Sequence, residues 1–319
     1  MNDSKDLETR CRETFRLEKE EDDADCFRAP NLFHARQSVS GAAYGGLVFA
    51  QGLAAAELTV DRQFKPNSLH SYFVLPVNAS LAVTYKVRRI RDGKSFVTRI
   101  VEAKQKDKLC FILQVSFHKP EKESMIHQEL MPRVPRPETL RSMREAVISV
   151  KRLVDEGRIV LKPAMLYRLE VFDWKAYVQQ EDFFELRCTD LDRYYGISND
   201  RKPAISFWMR ARGALPDDER LHRWLIACIS DSILIPAAIS PHFSQGFEGS
   251  LHVSLDHCLW FHTSEVRADE WLLFEGRSSV SSGARCMMEG RFWTSDGRLV
   301  ASCQQEGLNR GKRGQSSRI

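Results

Sequence analysis

The sequence predicts an α+β fold in which one plan occurs twice, each copy a long antiparallel sheet wrapped around a central helix. Three observations carry that expectation. Each half carries an apolar helical stretch, each continues from it as a run of strand-like segments, and short motifs recur between the halves in the same order. The 319 residues leave room for two units of ordinary size, each large enough to bury a core.

In the first half, Tyr44-Gly45-Gly46 opens a helix over residues 47–58. Its small and branched residues (Val48, Ala50, Leu53, Ala54, Ala55, Ala56) suit burial and let strands wrap closely. Strands are expected at 69–75, 81–90, 95–104 and 109–117, with Asp92-Gly93 as a hairpin signal between the second and third. Residues 119–160 form the connection. Pro132, Pro135 and Pro137 prevent a continuous helix or a central strand there, and one short helix fits 138–153.

The second half begins with a strand over 207–212 and a turn at Leu215-Pro216-Asp217-Asp218, where Asp217 or Asp218 is placed to cap the next helix. That helix is expected over 221–235, ended by Pro236 or shortly after it. Strands at 254–262, 271–278, 284–293 and 299–304 follow, with a turn at Ser295-Asp296-Gly297. Ser68-Leu69-His70 with Tyr72-Phe73 echoes Ser254-Leu255, His257 and Trp260-Phe261, and the stretch 108–114 echoes 298–304 at constant offset. The resulting division is a polar segment 1–28, a first unit 29–118, a linker 119–160, a second unit 161–310 and a flexible tail 311–319.

Composition narrows the function classes. Forty-seven basic and 43 acidic residues give a formal charge of +4, and the two signs are interleaved, which argues against nucleic acid as a partner. Residues 1–22 lack the apolar run of a secretory signal. The most apolar stretches, 44–60 and 225–239, are interrupted by Gln51 and Glu57 and by Asp231, so neither reads as membrane-spanning. Eight cysteines without metal or redox spacing read as reduced thiols of an intracellular protein. The closing Ser317-Arg318-Ile319 resembles the Ser-Lys-Leu peroxisomal address.

Several routine catalytic designs are missing from the sequence. It has no Gly-x-Ser-x-Gly elbow, no His-x-x-x-His or Cys-x-x-Cys cage and no Gly-x-Gly-x-x-Gly cradle, so neither metal nor cofactor is expected. What remains is acid-based chemistry. Asp231 lies in Ala227-Cys228-Ile229-Ser230-Asp231-Ser232-Ile233-Leu234, where an unpaired carboxylate is costly to bury. An isolated acid of this kind is more often a hydrogen-bond hub or a surface group than a catalyst. The matching place in the first helix falls near Ala54 or Ala55, which favours a single chemical site over a shared architectural need. Ser254 at a strand start and Gln305 at the exit of the last apolar strand are not distinguished by spacing alone.

A resemblance distinguishes them. Tyr44-Gly45-Gly46, Ser68-Leu69-His70-Ser71-Tyr72-Phe73-Val74, Arg91-Asp92-Gly93-Lys94-Ser95-Phe96, Phe207-Trp208-Met209-Arg210-Ala211-Arg212-Gly213, Ile229-Ser230-Asp231, Ser254-Leu255-Asp256-His257, Trp260-Phe261-His262 and Gln305-Glu306-Gly307 occur in order. Over residues 31–310 the chain resembles the acyl-CoA thioesterase II family, and more closely its peroxisomal animal members. The resemblance implies a double-hotdog fold and hydrolysis of acyl-CoA to CoA and a fatty acid by attack of water. It also implies a catalytic group of Asp231, Ser254 and Gln305. Gly45 and Gly46, at the start of the first helix, are the natural oxyanion donors, which places the site between the halves. Two departures stand out: Leu47 follows the glycine pair where the family commonly has glutamine, and the turn after the Tyr-Phe strand reads Leu75-Pro76-Val77-Asn78. They leave open an alternative, a duplicated hotdog protein that binds acyl-CoA or a partner with little hydrolysis. Peroxisomal location (cytoplasm as the alternative), an import receptor for the terminal tripeptide and homo-oligomerisation complete the expectations.

Overall fold

Two arcs of strands meet edge to edge in one continuous antiparallel sheet. The computed structural model describes residues 3–33, 41–179, 183–198 and 200–318. In chain order the elements begin with α1 (Asp3–Thr14), β1 (Glu18–Lys19), β2 (Cys26–Ala29), α2 (Gly45–Glu57), β3 (Lys65–Phe73), β4 (Val83–Asp92), β5 (Phe96–Gln105) and β6 (Lys108–His118). After the linker come α3 (Met143–Asp155), α4 (Pro163–Tyr167), a wide π-type segment (Arg168–Gln179), β7 (Phe184–Cys188), α5 (Leu191–Tyr194), β8 (Ala204–Ala211), α6 (Glu219–Ser230) and α7 (Leu234–Ser244). The chain closes with β9 (Gly249–Ser254), β10 (Asp256–Phe261), β11 (Leu272–Ser282), β12 (Arg285–Thr294) and β13 (Leu299–Gly311).

The sheet order β2-β4-β5-β6-β3 is followed by β10-β13-β12-β11-β8, the same sequence of roles reversed. The seam is the β3–β10 pair, with Leu69 opposite Leu259 and Trp260 opposite Ser68. One hydrophobic core runs through both units. Helix α2 is apolar all round and lies on β3 to β6, as expected of a helix wrapped on every side. In the second unit α7 covers β8, β11, β12 and β13, while α6 packs along α2.

Three expectations need correction. The helix expected to be continuous over 221–235 is two helices: α6 ends at Ser230, Asp231 is its C-cap, and α7 starts at Leu234. Pro236 lies in the first turn of α7 and does not end a helix, because its missing N–H would have no intrahelical acceptor there. Strand 254–262 is broken at Leu255 into β9 and β10. The last strand does not stop near Gln304. The period of two continues, with Cys303, Gln305 and Gly307 all turned inward, and β13 reaches Gly311 by pairing with β12 and β9.

Among the described residues, the stretch Glu219–Ser244 is the one helical run long and apolar enough to cross a bilayer, and most of it is buried inside the protein. The proline-rich linker is not a loose tether. Met131, Val134 and Leu140 pack on Trp208, Leu273 and Trp293, and the Trp208 indole donates to the Pro135 carbonyl at 2.8 Å.

Candidate active site

Helices α2 and α6 run antiparallel, so the first residues of one meet the last residues of the other. The Tyr44 hydroxyl, just ahead of α2, donates to the Cys228 carbonyl near the end of α6 at 2.7 Å. Only glycine fits between them: a Cβ on Gly46 would lie 2.2 Å from that carbonyl oxygen and 2.7 Å from the Tyr44 ring. A Cβ on Gly45 would lie 3.0 Å from Asp231 Oδ2 and 3.1 Å from the Phe73 ring. The glycine pair is therefore what lets the start of α2 reach the acid. The amides of Gly45 and Gly46 belong to the first helical turn, where no intrahelical acceptor exists, and neither has a backbone partner among the described residues.

Asp231 is 7% exposed. The Ser254 hydroxyl, at the end of β9, donates to its Oδ1 at 2.9 Å. Gln305 Nε2, on β13, donates to Ser254 Oγ at 2.5 Å. Asp231, Ser254 and Gln305 thus form one hydrogen-bonded chain, although they come from a helix end and two strands. Gly45 faces the free side of the carboxylate, and Gly46 lies one step further, against Cys228. Asp231 closes a helix C-terminus, the unfavourable end of that dipole, but it faces the N-terminus of α2, where negative charge is favoured.

The chain continues beyond the expected residues. His257 Nδ1 is 3.1 Å from Gln305 Oε1, and His257 Nε2 is 2.7 Å from Ser230 Oγ. Ser71 donates to the His257 carbonyl at 2.8 Å across the seam, and the Phe49 ring meets the imidazole edge-on at 4.8 Å between centroids. His257, Gln305 and Ser230 are fully buried. Burial pushes the imidazole below its ordinary value, and the nearby Asp231 only partly opposes that. Sequence reasoning noticed His257 as part of a repeated motif and gave it no role. A usable signal was present, since His257, Leu259 and Phe261 alternate on the inward face of β10.

The first unit has no counterpart to this polar group. Gln114 on β6 lies opposite His70 on β3, as Gln304 on β13 lies opposite Cys258 on β10. One residue further, Val115 pairs with Leu69 in the places that Gln305 and His257 hold in the second unit.

Of the two departures, Leu47 is fully buried within α2. The Leu75-Pro76-Val77-Asn78 turn braces the approach to α2, because the Ala43 amide donates to the Val77 carbonyl at 2.7 Å. Gln105 clamps the same turn, accepting from the Asn78 amide and donating to the Asn78 carbonyl, both at 2.9 Å. Among the described residues no three His, Cys, Asp or Glu side chains gather as a metal site. The nearby thiols are poor nucleophiles: burial pushes Cys258 up to about 11 and Cys303 higher still.

Comparison with known proteins identifies the family and the fold. A family model for an acyl-CoA thioesterase N-terminal domain matches residues 34–118, and one for an acyl-CoA thioesterase C-terminal domain matches 169–309. The chain is 34% identical over 291 residues to acyl-coenzyme A thioesterase 8 of Homo sapiens, covering 91% of this chain and 86% of that one. It is 25% identical over 300 residues to the peroxisomal acyl-coenzyme A thioester hydrolase 1 of Saccharomyces cerevisiae, covering 83% and 84%. The crystal structure of the acyl-CoA thioesterase II TesB2 from Mycobacterium marinum superposes with a TM-score of 0.72 at 30% identity, over 96% of this chain and all of that one.

Proposed function

The chain belongs to the acyl-CoA thioesterase II family and its fold is the double hotdog, and on that premise we propose that it hydrolyses fatty acyl-CoA by Asp231-assisted attack of water. It is an acyl-CoA thioester hydrolase. The observation that carries the mechanism is the state of Asp231, with one oxygen fixed by Ser254 and the other turned toward the start of α2.

In this reading the water oxygen bonds to the thioester carbonyl carbon while Asp231 takes its proton. The C–S bond then breaks, the electron pair leaves with sulfur, and the proton held by Asp231 passes to the CoA thiolate. Ser254 and Gln305 hold the carboxylate and the water in line, which removes part of the entropic cost of a bimolecular step. The amides of Gly45 and Gly46 receive the carbonyl oxygen as it gains charge. Release of free thiol from short-, medium-, long- and branched-chain acyl-CoAs tests the reading directly. Turnover well above buffer is expected, and tight binding of every substrate without turnover would sink it.

The division into units at 29–118 and 161–310 belongs to the same proposal, as do homo-oligomerisation and peroxisomal import through a receptor for Ser317-Arg318-Ile319. Ile319 lies outside the described residues. The similarity to the yeast peroxisomal thioester hydrolase supports the location. A fluorescent fusion with and without the tripeptide decides it, since diffuse signal from both rejects import by this terminus.

A further inference from the structure

The hydrogen-bonded chain around Asp231 has one consistent direction, and it fixes the state of a residue outside the proposed catalytic group. Ser254 has a single hydroxyl hydrogen, which goes to the Asp231 carboxylate. The contact between Gln305 and Ser254 must then be donated by the amide, so Nε2 faces Ser254 and Oε1 faces His257. An amide oxygen only accepts, so His257 Nδ1 must carry a hydrogen. Burial keeps the imidazole neutral, which leaves Nε2 as an acceptor toward the Ser230 hydroxyl at 2.7 Å. The single Ser230 hydrogen then points to Nε2 and not to the Ala227 carbonyl, which lies 2.9 Å from the same hydroxyl oxygen. The donors therefore run from Ser230 through His257, Gln305 and Ser254 to Asp231, the residue next to Ser230 in the chain.

We infer that His257 is a positioning residue: as the Nδ1–H tautomer, it sets which way the Gln305 amide points and so keeps the Ser254 hydroxyl on Asp231. This rests on the proposed Asp231 mechanism. Without a donor at Nδ1 the amide is free to turn over and offer its oxygen to Ser254. The serine hydrogen would then be drawn to Gln305, and the carboxylate would lose the bond that orients it. The surroundings suit such a role, because Phe49 packs edge-to-face with the imidazole and Ser71 holds the His257 backbone carbonyl. In the first unit the same two places hold Leu69 and Val115, so packing of the sheet alone does not require a polar pair there.

Two measurements test this together. Selective 15N-histidine NMR of the wild-type protein, with the His257 signal assigned by its loss in His257→Asn, reads the tautomer directly. Nδ1–H is expected, and either Nε2–H or an imidazolium at neutral pH overturns the inference. The second measurement is kcat and KM for His257→Leu and His257→Asn, each with and without Gln305→Ala, folding being checked by circular dichroism. Leu should lower kcat about 10- to 100-fold with little change in KM, the scale expected for a displaced reacting group. Asn places an amide N–H where Nδ1 was and should keep kcat within about threefold of wild type. On the Gln305→Ala background, Leu should have almost no further effect, since a residue acting through Gln305 has nothing left to orient. Equal losses on both backgrounds, or a folded Asn variant as impaired as Leu, would show a merely structural role. Should Leu fail to fold, the Asn variant and the tautomer still decide. A wild-type protein without turnover would instead overturn the thioesterase mechanism itself, and this inference with it.

Discussion

The two ends of the α2–α6 pair are built alike and behave differently. At each end an acid at the close of one helix meets the first turn of the other. Glu57, the last residue of α2, accepts from Arg223 at 2.8 Å on one oxygen and from the Trp224 indole at 2.6 Å on the other. Arg220 donates to the Glu57 carbonyl at 2.9 Å, and Glu219 pairs with Arg223 at 3.2 Å. At the other end Asp231 meets no cation among the described residues. One oxygen is held by a neutral hydroxyl, and the other faces glycine. The contrast teaches what separates a lock from a reactive centre in the same geometry. Glu57 has both oxygens held by N–H donors from α6, whereas Asp231 has one oxygen held by a neutral hydroxyl and the other turned toward the start of α2.

Each way of breaking the comparison has a different readout. Asp231→Asn should lower kcat at least about 100-fold, within the range general-base catalysis contributes, while circular dichroism and Tm stay near wild type. Near-normal kcat in the folded variant would remove Asp231 from the mechanism. Glu57→Ala should do the opposite. It takes from the buried Arg223 the closer of its two carboxylate partners, leaving the Glu219 pair, and removes the acceptor of the Trp224 indole; it should cost about 3 kcal/mol in denaturant unfolding, with kcat of the folded fraction nearly unchanged. Gly45→Ala lies between the two: its methyl would press on Asp231 Oδ2 and Phe73, so kcat should fall about tenfold while stability drops by about 1 kcal/mol. The smallest effect is that of pH. Burial lowers His257 at the site end and His222 on α6 below their ordinary values. The unfolded chain therefore takes up protons first as pH falls below about 6.5, so stability is full above that value and is lost progressively toward the folded-state values. Asp256, raised by burial, opposes the trend only at the acid end. Thermal unfolding followed from pH 7.5 to 5.5 should show Tm falling, and a flat profile would contradict the assigned burial of these imidazoles.

Periodicity and turn chemistry made most of the fold legible. The small-residue run after Gly45-Gly46 read as a buried helix, Asp92-Gly93 lies in the turn between β4 and β5, and Asp218 is the N-cap of α6. The break at Asp231 was not legible, because the apolar run resumes at once over Ile233 to Ile239 and a proline in a first helical turn looks in sequence like one that ends a helix. That break matters, since it makes Asp231 a helix terminus facing α2. The matching of Asp231 with Ala54 or Ala55 falls short of the helix end: Asp231 is the C-cap of α6, and the C-cap of α2 is Leu58, next to Glu57. Of the candidate site, only Asp231 had an argument internal to the sequence. Ser254 is 23 residues from Asp231 and 51 from Gln305, distances that no local pattern spans, so their selection came from resemblance. His257 stayed hidden because only the pairing of β10 with β13 brings it opposite Gln305.

The seam between β3 and β10 has a consequence for how the molecule comes apart. Its ladder joins the sheets of both units, the core passes beneath it, and Ser71 from one side holds the backbone of His257 on the other. In the proposed mechanism neither half owns a complete site, because Asp231, Ser254 and Gln305 lie on one side and Gly45, Gly46 and Phe49 on the other. Heat or denaturant should thus take the chain apart in one cooperative transition, with activity lost at the same midpoint as the sheet. Cutting the linker should yield two inactive fragments that regain turnover only when they re-form the seam.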